Sequence, residues 1–389
     1  MRLLAVVNEF PTASETFIVN KVVALRKAGV DVTVLAHRQP SGDAHVRLAS
    51  GWRHPLALGG RILAHPTHAV FALRRALRHY GMSARAARAF AQALGLMGFP
   101  LVHFEFSGIA VAYQDALPLL PQGTRIVISC RGSAEHITPL IDPERPRRLR
   151  DVLDAADAVH CVTDDLATTL RGLGARPRRV FVNRPAIDVE RFRRREAAPS
   201  SEGPPLILSV GRLHWNKSYE YALLALRSLA QDGVSFHYQV VGDGAEREKL
   251  TFMVHDLGLH DSVELVGSET SDQVRHRMEH ASVFLLTSTR EGVSNSVLEA
   301  MAMELPVVCT RVGGMGEVIR DQQNGLLVAP YDAEAIARAL RTLLADGDER
   351  QRLGRAARAT VETEFSLARQ RDVFLREYRF LLASREAAP

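Results

Sequence analysis

The chain has 389 residues, which is enough for two domains of ordinary size. Apolar residues make up 46% and charged residues 24%, fractions that exclude a disordered or fibrous protein. The formal net charge is only +5, and the chain has no basic–aromatic motif or zinc-finger spacing, so nucleic acid is not the expected partner.

The chain opens with the run MRLLAVVNEF, which Asn8 and Glu9 interrupt too early for a signal peptide. No run of about 20 apolar residues follows that would span a membrane. Three cysteines, Cys130, Cys161 and Cys309, lie in apolar runs without metal-ligand spacing and are predicted to be buried, reduced thiols. These features favour a cytoplasmic protein.

Short apolar runs rich in β-formers alternate with helical patterns, which is typical of parallel α/β sheets. Strands are predicted first at residues 3–8, 30–37, 101–106, 125–130 and 158–163. A segment rich in Arg, Ser, Pro and Gly then predicts a linker at residues 193–205. A second series follows at residues 205–210, 236–241, 263–266, 282–288 and 306–310, and an amphipathic helix at 366–384 ends the pattern. Two similar sheets are therefore expected, facing each other, with their carboxyl strand ends lining one cleft.

The segment REGVSNSVLEAMA, residues 290–302, is the most informative in the chain. It follows the apolar run SVFLLTS and contains Ser294, Asn295 and Ser296, which favour the start of a helix. A strand that leads into a helix N-terminus creates an anion site, because free N–H groups and the helix dipole point outward. Glu291 and Glu299 flank this site, an arrangement that suits a ligand with both phosphate and hydroxyl groups.

The segment GRLHWNKSY, residues 211–219, follows the strand PLILSV and places Arg212 and Lys217 at its end. Two cations there can neutralise a diphosphate as its bond to a sugar breaks. The alternative is surface charge beside a loop. The runs GDGAE, VELVG and RVGGMGEVI mark further strand ends, and their glycines either admit phosphate or only permit turns.

The ordered motifs GR-x5-K, VGDG, EG-x-x-N-S-x-L-E-A-M-A, PVV-x-T-x-x-GG-x-x-E and NGLLV resemble those of the retaining glycosyltransferases of family 4. The resemblance implies an α/β GT-B fold with two Rossmann-like domains facing across a cleft. Residues 1–192 would bind the acceptor and residues 206–365 the nucleotide sugar, joined by the linker at 193–205. The helix in residues 366–389 would pack back on the N-terminal domain.

The resemblance also assigns roles to residues of the second half. Arg212 and Lys217 would bind the donor diphosphate, Glu299 the ribose hydroxyls, and Glu291 the transferred sugar. The catalytic set is therefore Glu291, Arg212 and Lys217. The other residues expected at the donor site lie at strand ends and at the helix start, namely Gly242, Gly267, Asn295, Ser296 and Val297.

The run P-x-x-SETFI near the N-terminus is similar to the opening of exopolysaccharide glycosyltransferases of the colanic-acid type. It would place Ser14, Glu15 and Thr16 towards the acceptor, although Ser14 and Thr16 are also good helix caps.

Two positions in the first half, Arg131 and Glu105, and one in the second, Glu304, depart from the family pattern. Arg131, before Gly132, stands where a histidine is usual; an arginine can contact phosphate or an acidic sugar but cannot act as a base. His103 is present, whereas Glu105 replaces a second histidine that the family often has. Each of these residues either contacts a ligand or is a core or loop group without a chemical role. Glu304 stands where glycine is usual, which predicts a different turn.

The predicted protein is a retaining hexosyltransferase that uses a UDP- or GDP-sugar and no cofactor or metal. Its acceptor would be a glycan, lipid-linked and at the inner face of the cytoplasmic membrane, in exopolysaccharide or cell-surface polysaccharide synthesis. Arginines at 74–88, 145–150 and 191–195 either contact anionic lipid or form solvated faces. The alternatives are a soluble small-molecule acceptor and an inactive sugar-nucleotide-binding subunit. The one D-x-D run, from Asp346 to Asp348, is predicted to cap a helix and not to bind metal.

Overall fold

The computed structural model describes residues 1–11, 16–38, 46–48, 55–194 and 203–384. The chain divides into two compact units. Unit 1 consists of Met1–Arg184 and Leu367–Pro389, and unit 2 consists of Pro185–Ser366. Each unit is built on one parallel sheet, so the predicted pair of Rossmann-like α/β domains is confirmed.

Unit 1 contains a seven-stranded sheet in the order β3-β2-β1-β4-β5-β6-β7. Its elements up to Arg184 are β1 (Arg2–Glu9), α1 (Thr16–Lys27), β2 (Asp31–Arg38), β3 (Val46–Leu48), α2 (Pro55–Ala64), α3 (Pro66–Tyr80), α4 (Ala84–Leu96), β4 (Leu101–Phe104), α5 (Ser107–Ala112), β5 (Arg125–Cys130), α6 (Ser133–His136), α7 (Thr138–Ile141), α8 (Arg145–Asp154), β6 (Ala158–Cys161), α9 (Asp164–Gly172) and β7 (Val180–Val182). Every residue of β4 and β6 is buried, because helices cover both faces of a parallel sheet.

Unit 2 contains a six-stranded sheet in the order β10-β9-β8-β11-β12-β13. Its elements are β8 (Leu206–Val210), α10 (Tyr219–Gln231), β9 (His237–Val241), α11 (Arg247–Asp256), β10 (Val263–Gly267), α12 (Ser271–His280), β11 (Val283–Leu286), α13 (Asn295–Ala302), β12 (Val307–Thr310), α14 (Met315–Val318), β13 (Leu326–Val328), α15 (Ala333–Ala345) and α16 (Gly347–Glu364). The strand order reverses between β8 and β11, and ligands of such sheets bind beyond the strand ends at this point.

The last helix, α17 (Leu367–Ala383), packs within unit 1 although it follows unit 2 in the chain. Phe374, Tyr378 and Leu381 lie in the same apolar cluster as Leu25 of α1. The Arg179 guanidinium donates to the Glu377 carboxylate at 2.6 Å and holds the helix near β7. The sequence pattern had indicated this helix over nearly the same residues.

The boundary between the units lies before the predicted linker. Ile187 and Phe192 belong to the apolar core of unit 2, and the Arg358 guanidinium donates to the Phe192 carbonyl oxygen at 3.2 Å. Most of the predicted linker lies outside the described residues. The three strands that the sequence did not indicate, β3, β7 and β13, have three residues each and lie at or next to sheet edges, where runs are too short to show a pattern.

The cysteines and the D-x-D run are placed as predicted. All three cysteines are free and buried. The Asp346 carboxylate accepts from the Glu349 N–H at 3.0 Å and caps α16. In the described residues no helix is long and apolar enough to cross a membrane.

Candidate active site

The carboxyl ends of β8, β9 and β10 are drawn tightly together by glycines. The Gly211 N–H donates to the Val241 carbonyl oxygen at 2.9 Å, and the Gly242 N–H donates to the Gly267 carbonyl oxygen at 2.8 Å. Gly242 has φ +143°, and a Cβ there would overlap the Gly211 carbonyl oxygen. Only glycine allows this close approach at position 242. The predicted donor residues Gly242 and Gly267 therefore lie directly against the start of the loop after β8.

The loop after β8 is fixed to the loop after β11 by backbone contacts. The Thr289 N–H donates to the Asn216 carbonyl oxygen at 2.8 Å. The Thr287 hydroxyl donates to the Lys217 carbonyl oxygen at 3.0 Å. These bonds join residues far apart in sequence. They fix the two loops that carry Lys217 and Glu291 relative to each other.

Lys217 and Glu291 form an ion pair between these two loops. Their side chains are only 15% and 13% exposed, so the pair is partly shielded from water. The Ser288 hydroxyl also donates to the Glu291 carboxylate, at 2.8 Å. Arg212, on the same loop as Lys217, is exposed and has no side-chain partner among the residues that the structure describes. The site thus offers one cation already paired and one still available.

The N-terminus of α13 has no side-chain cap. Its N-cap residue, Ser294, makes no capping hydrogen bond, and its hydroxyl instead lies 3.0 Å from that of Ser296. The Asn295 Oδ1 is buried and has no hydrogen-bond partner in the part of the chain described. First-turn N–H groups have no partner inside a helix. The turn that contains Asn295, Ser296 and Val297 therefore presents unsatisfied donors and one unsatisfied acceptor, as a phosphate and sugar site requires.

Glu299 lies on the second turn of α13 and is partly buried. Burial raises the pKa of its carboxyl group from 4.5 to about 7, and the charge of Arg191 opposes the rise. No hydrogen-bond donor reaches this carboxyl group from the described residues. A buried carboxylate without donors is costly, and two vicinal hydroxyl groups would satisfy it.

The loop that carries Glu291 is supported from beneath by a glycine turn. Gly313 has φ +48°, and a Cβ there would overlap the Glu291 carbonyl oxygen. The Thr310 hydroxyl donates to the Ser288 carbonyl oxygen at 2.5 Å. The glycine-rich run after β12 therefore positions Glu291 by close backbone packing.

The turn after α13 corrects one prediction. Glu304 has φ +58°, a left-handed conformation that favours glycine. Its carbonyl oxygen lies against Gly354, where a Cβ would overlap it. The turn is therefore the one that glycine would make, and the glutamate adopts it under strain.

In unit 1 the structure buries two of the predicted site residues completely. Both oxygens of the Glu105 carboxylate are used: Lys21 donates to Oε1 at 2.6 Å and Arg131 donates to Oε2 at 2.9 Å. The His103 Nε2 lies 2.7 Å from the Ser129 hydroxyl, and its Nδ1 lies 2.9 Å from the Lys21 amine. His103 and Glu105 thus both bond to buried protein groups, and Glu105 supports Arg131.

The hydrogen bonds that link His160, Ser129 and His103 have one consistent assignment of donors and acceptors. The His160 Nε2 lies 2.7 Å from the Asn183 carbonyl oxygen and donates to it, so its Nδ1 accepts from the Ser129 hydroxyl at 2.8 Å. Burial and the nearby cations keep the pKa of both His103 and His160 well below the usual value, so both are neutral. Burial also lowers the pKa of Lys21 to about 8, against the opposing attraction of Glu105.

Arg131 is the one member of this network with an exposed edge. Its side chain is 14% exposed and lies against two aromatic rings, with the guanidinium 4.5 Å from the Phe17 ring centre and 5.5 Å from that of Phe106. The Gly132 N–H donates to the Glu135 carboxylate at 2.8 Å and fixes the turn that follows.

Thr16 is the first residue of α1 and is exposed, whereas Ser14 and Glu15 lie outside the described residues.

Several residues that build the site were not among the predicted ones. Ser288 follows β11 and Thr310 ends β12, and small hydroxyl residues at strand ends are too common a signal to single them out. Lys21 had a clearer signal, because it shares the buried face of α1 with Ile18 and Leu25 at helical spacing. A lysine on an apolar face requires a buried carboxylate, and Glu105 is that partner.

Two family models match the chain in succession. The Glycosyltransferase Family 4 model matches residues 14–191, and the Glycosyl transferases group 1 model matches residues 190–360. Together they span both units, and each lies where the resemblance of the motifs had indicated. The chain therefore belongs to the family 4 glycosyltransferases.

Curated relatives place the chain more narrowly. The Escherichia coli protein WcaL, named for colanic acid biosynthesis, is 29% identical over 92% of this chain and 94% of its own length. The amylovoran biosynthesis glycosyltransferase AmsK of Erwinia amylovora is 28% identical over 94% of this chain and 96% of its own length. The chain is thus a glycosyltransferase homologous to enzymes of exopolysaccharide synthesis, as the P-x-x-SETFI run had suggested.

A solved structure supports the fold. The Anabaena protein HepE, in complex with UDP-glucose, superposes with a TM-score of 0.75 at 15% identity, over 97% of this chain and 99% of its own. At this identity the likeness concerns the fold, and the GT-B architecture is confirmed.

Proposed function

We propose that this glycosyltransferase moves one sugar from a UDP- or GDP-linked donor to a growing, lipid-linked glycan, with retention of configuration and without a metal ion. One observation carries the proposal: the Lys217–Glu291 pair lies beside the uncapped start of α13. UDP-glucose is the ligand of the HepE structure. The synthesis of colanic acid and amylovoran, for which the relatives are named, supports a glycan acceptor.

The donor site would work by charge. Arg212 and the N–H groups of the first turn of α13 receive the diphosphate, and Lys217 leaves Glu291 to join them. Their positive charge stabilises the leaving diphosphate as the bond to the sugar breaks, which is the task of a metal ion in other transferases. Glu299 accepts from the ribose hydroxyls, and Glu291, once released, faces the transferred sugar.

Unit 1 would supply the acceptor side. We propose that Ser14, Glu15 and Thr16 lie towards the acceptor, with Gly132 fixing the turn beside it. Arg131 would contact an anionic group of a substrate through its exposed edge, while Glu105 and His103 position it from within.

The Glu291→Gln variant tests the mechanism. Because Glu291 competes with the diphosphate for Lys217, its neutralisation should leave nucleotide affinity unchanged or tighter while turnover falls on the order of 10²-fold. Titration with nucleoside diphosphate and single-turnover transfer to a membrane extract separate the two quantities. The exposed Glu248→Gln is the matched control. Turnover that survives in Glu291→Gln would remove Glu291 from the mechanism, and a product of inverted configuration by NMR would refute retention.

A further inference from the structure

A long acid-free stretch occupies the middle of unit 1. No Asp or Glu occurs between Asp43 and Glu105, although the chain as a whole carries 44 in 389 residues. At that average frequency, about seven would be expected in this stretch. The same stretch carries eight arginines, so helices α2, α3 and α4 contain basic residues and no acidic ones, and Arg85 of α4 pairs with Asp115 from outside the stretch at 2.7 Å.

Helix α3 in this stretch has an unusual orientation. It buries only small residues, Ala69, Ala72 and Ala76, and packs them towards α4 in the same core cluster. Its large apolar residues point away from the core: Val70 is 50% exposed, Leu73 is 44% and Leu77 is 43%. An ordinary surface helix turns its large apolar residues inward. The outward stripe therefore needs another explanation than the stability of unit 1.

Arginines flank this stripe. Arg74 and Arg78 follow Val70 and Leu77 around the helix, and neither has an ion-pair partner among the described residues. We call the surface of Val70, Leu73, Arg74, Leu77 and Arg78 the arginine–leucine face. Two further apolar residues near the ends of α3 in sequence are also exposed, Leu63 at 82% and Met82 at 98%.

The other arginine clusters differ in this respect. Arg147 pairs with Glu144 at 2.7 Å, and Arg148 pairs with Asp142 at 2.7 Å. Arg191 likewise pairs with Asp272 at 3.0 Å. These three arginines are paired with carboxylates, as on a solvated helix face. Within the described part of the chain Arg74 and Arg78 of α3 have no such pair, and their like charge also disfavours contact with the same face of a second copy.

We propose that the arginine–leucine face docks on an anionic lipid bilayer, with its leucines entering the headgroup boundary and its arginines binding lipid phosphates. Interleaved arginines and large apolar residues on one helix are the pattern of interfacial helices. Each arginine near an anionic membrane strengthens binding about fivefold. The surface belongs to unit 1 and the proposed donor site to unit 2, so its test does not depend on donor binding or turnover.

Vesicle flotation tests the proposal with the full chain. Binding to phosphatidylglycerol–phosphatidylcholine vesicles is expected, with no binding to pure phosphatidylcholine and loss of binding in high salt. Arg74→Gln with Arg78→Gln should weaken it about 25-fold. Leu73→Gln with Leu77→Gln should weaken it at least tenfold. Matched controls from unit 2, the exposed Arg355→Gln and Phe252→Gln, should bind as the wild type does. Unchanged melting temperatures would show that the variants fold.

A site-specific probe gives an independent readout. All three native cysteines are buried, so a polarity-sensitive dye on Met82→Cys labels one site. Its emission should shift to the blue on anionic vesicles, whereas a dye on Phe252→Cys should not shift. Vesicle binding that both double variants retain would overturn the proposal, as would its complete absence. Concentration-dependent dimerisation lost in the leucine variant would assign the face to a second copy instead.

Discussion

Glu299 allows a prediction in which stability and function oppose each other. Its carboxyl pKa is raised from 4.5 to about 7 by burial. A group with a raised pKa stabilises the folded state at low pH, and this contribution is lost as pH rises through the folded pKa. At about 1.4 kcal/mol per pKa unit, ionised Glu299 costs unit 2 about 3 kcal/mol. Its partial exposure reduces the cost to about 2 kcal/mol.

The Glu299→Gln variant removes the charge and keeps the shape. At pH 8.5 it should stabilise unit 2 by about 2 kcal/mol, which corresponds to about 4–8 °C in melting temperature for a domain of this size. At pH 4, below the unfolded pKa of 4.5, the carboxyl group is mostly neutral in both the folded and the unfolded state, so the two proteins should melt nearly together. Thermal unfolding followed by circular dichroism at both pH values measures this difference.

Nucleotide binding should favour the wild type over Glu299→Gln in melting temperature, the opposite of the effect of the substitution on the free protein. Saturating nucleoside diphosphate should raise the melting temperature of the wild type more than that of Glu299→Gln, because only the carboxylate accepts from both ribose hydroxyls. The exposed Glu248→Gln should match the wild type throughout. A Glu299→Gln variant that is destabilised at pH 8.5, or that differs from the wild type equally at both pH values, would refute the reasoning.

Three further substitutions test the packing around the sites. Glu304→Gly should stabilise unit 2 by about 0.5–1 kcal/mol, because the left-handed backbone strains any side chain, and urea unfolding measures the change. Gly313→Ala should abolish nucleotide binding by displacing the loop before α13, whereas Gly316→Ala, where a Cβ has open space, should bind normally in titration calorimetry. Glu105→Gln should destabilise unit 1 by about 3–5 kcal/mol in thermal unfolding, since it leaves Lys21 buried without its counter-charge.

Each of these predictions has a clear contrary result. A Glu304→Gly variant less stable than the wild type would mean that contacts of the glutamate outweigh its strain. Equal nucleotide binding by the two alanine variants would show that the close packing under Glu291 is dispensable. A Glu105→Gln variant with unchanged stability would mean that the buried cations find other partners.

The sequence predicted those features that depend on strand ends meeting in a parallel sheet. Lys217 and Glu291 follow different strands, β8 and β11, and such strand ends converge at one edge of the sheet. That the two side chains pair with each other depends on the loop contacts through Asn216 and Thr287, which no periodicity reveals.

The sequence did not predict features set by tertiary packing. The burial of His103 and Glu105 depends on Lys21 and on Tyr378 of α17, whose hydroxyl lies 2.5 Å from the His103 Nδ1. Residues so distant in sequence give no local signal. The outward leucines of α3 were also missed, because the helical pattern of apolar residues does not say which face the core will take.

The central claim is that unit 2 holds a nucleotide-sugar donor through Lys217. The most direct measurement is titration calorimetry of the protein with UDP, GDP and ADP in the absence of metal ions. We predict that UDP or GDP binds selectively and that Lys217→Ala weakens this binding at least tenfold, while the exposed Lys249→Ala does not. Binding that is equally strong in Lys217→Ala, or no binding of any of the three nucleotides, would contradict the account.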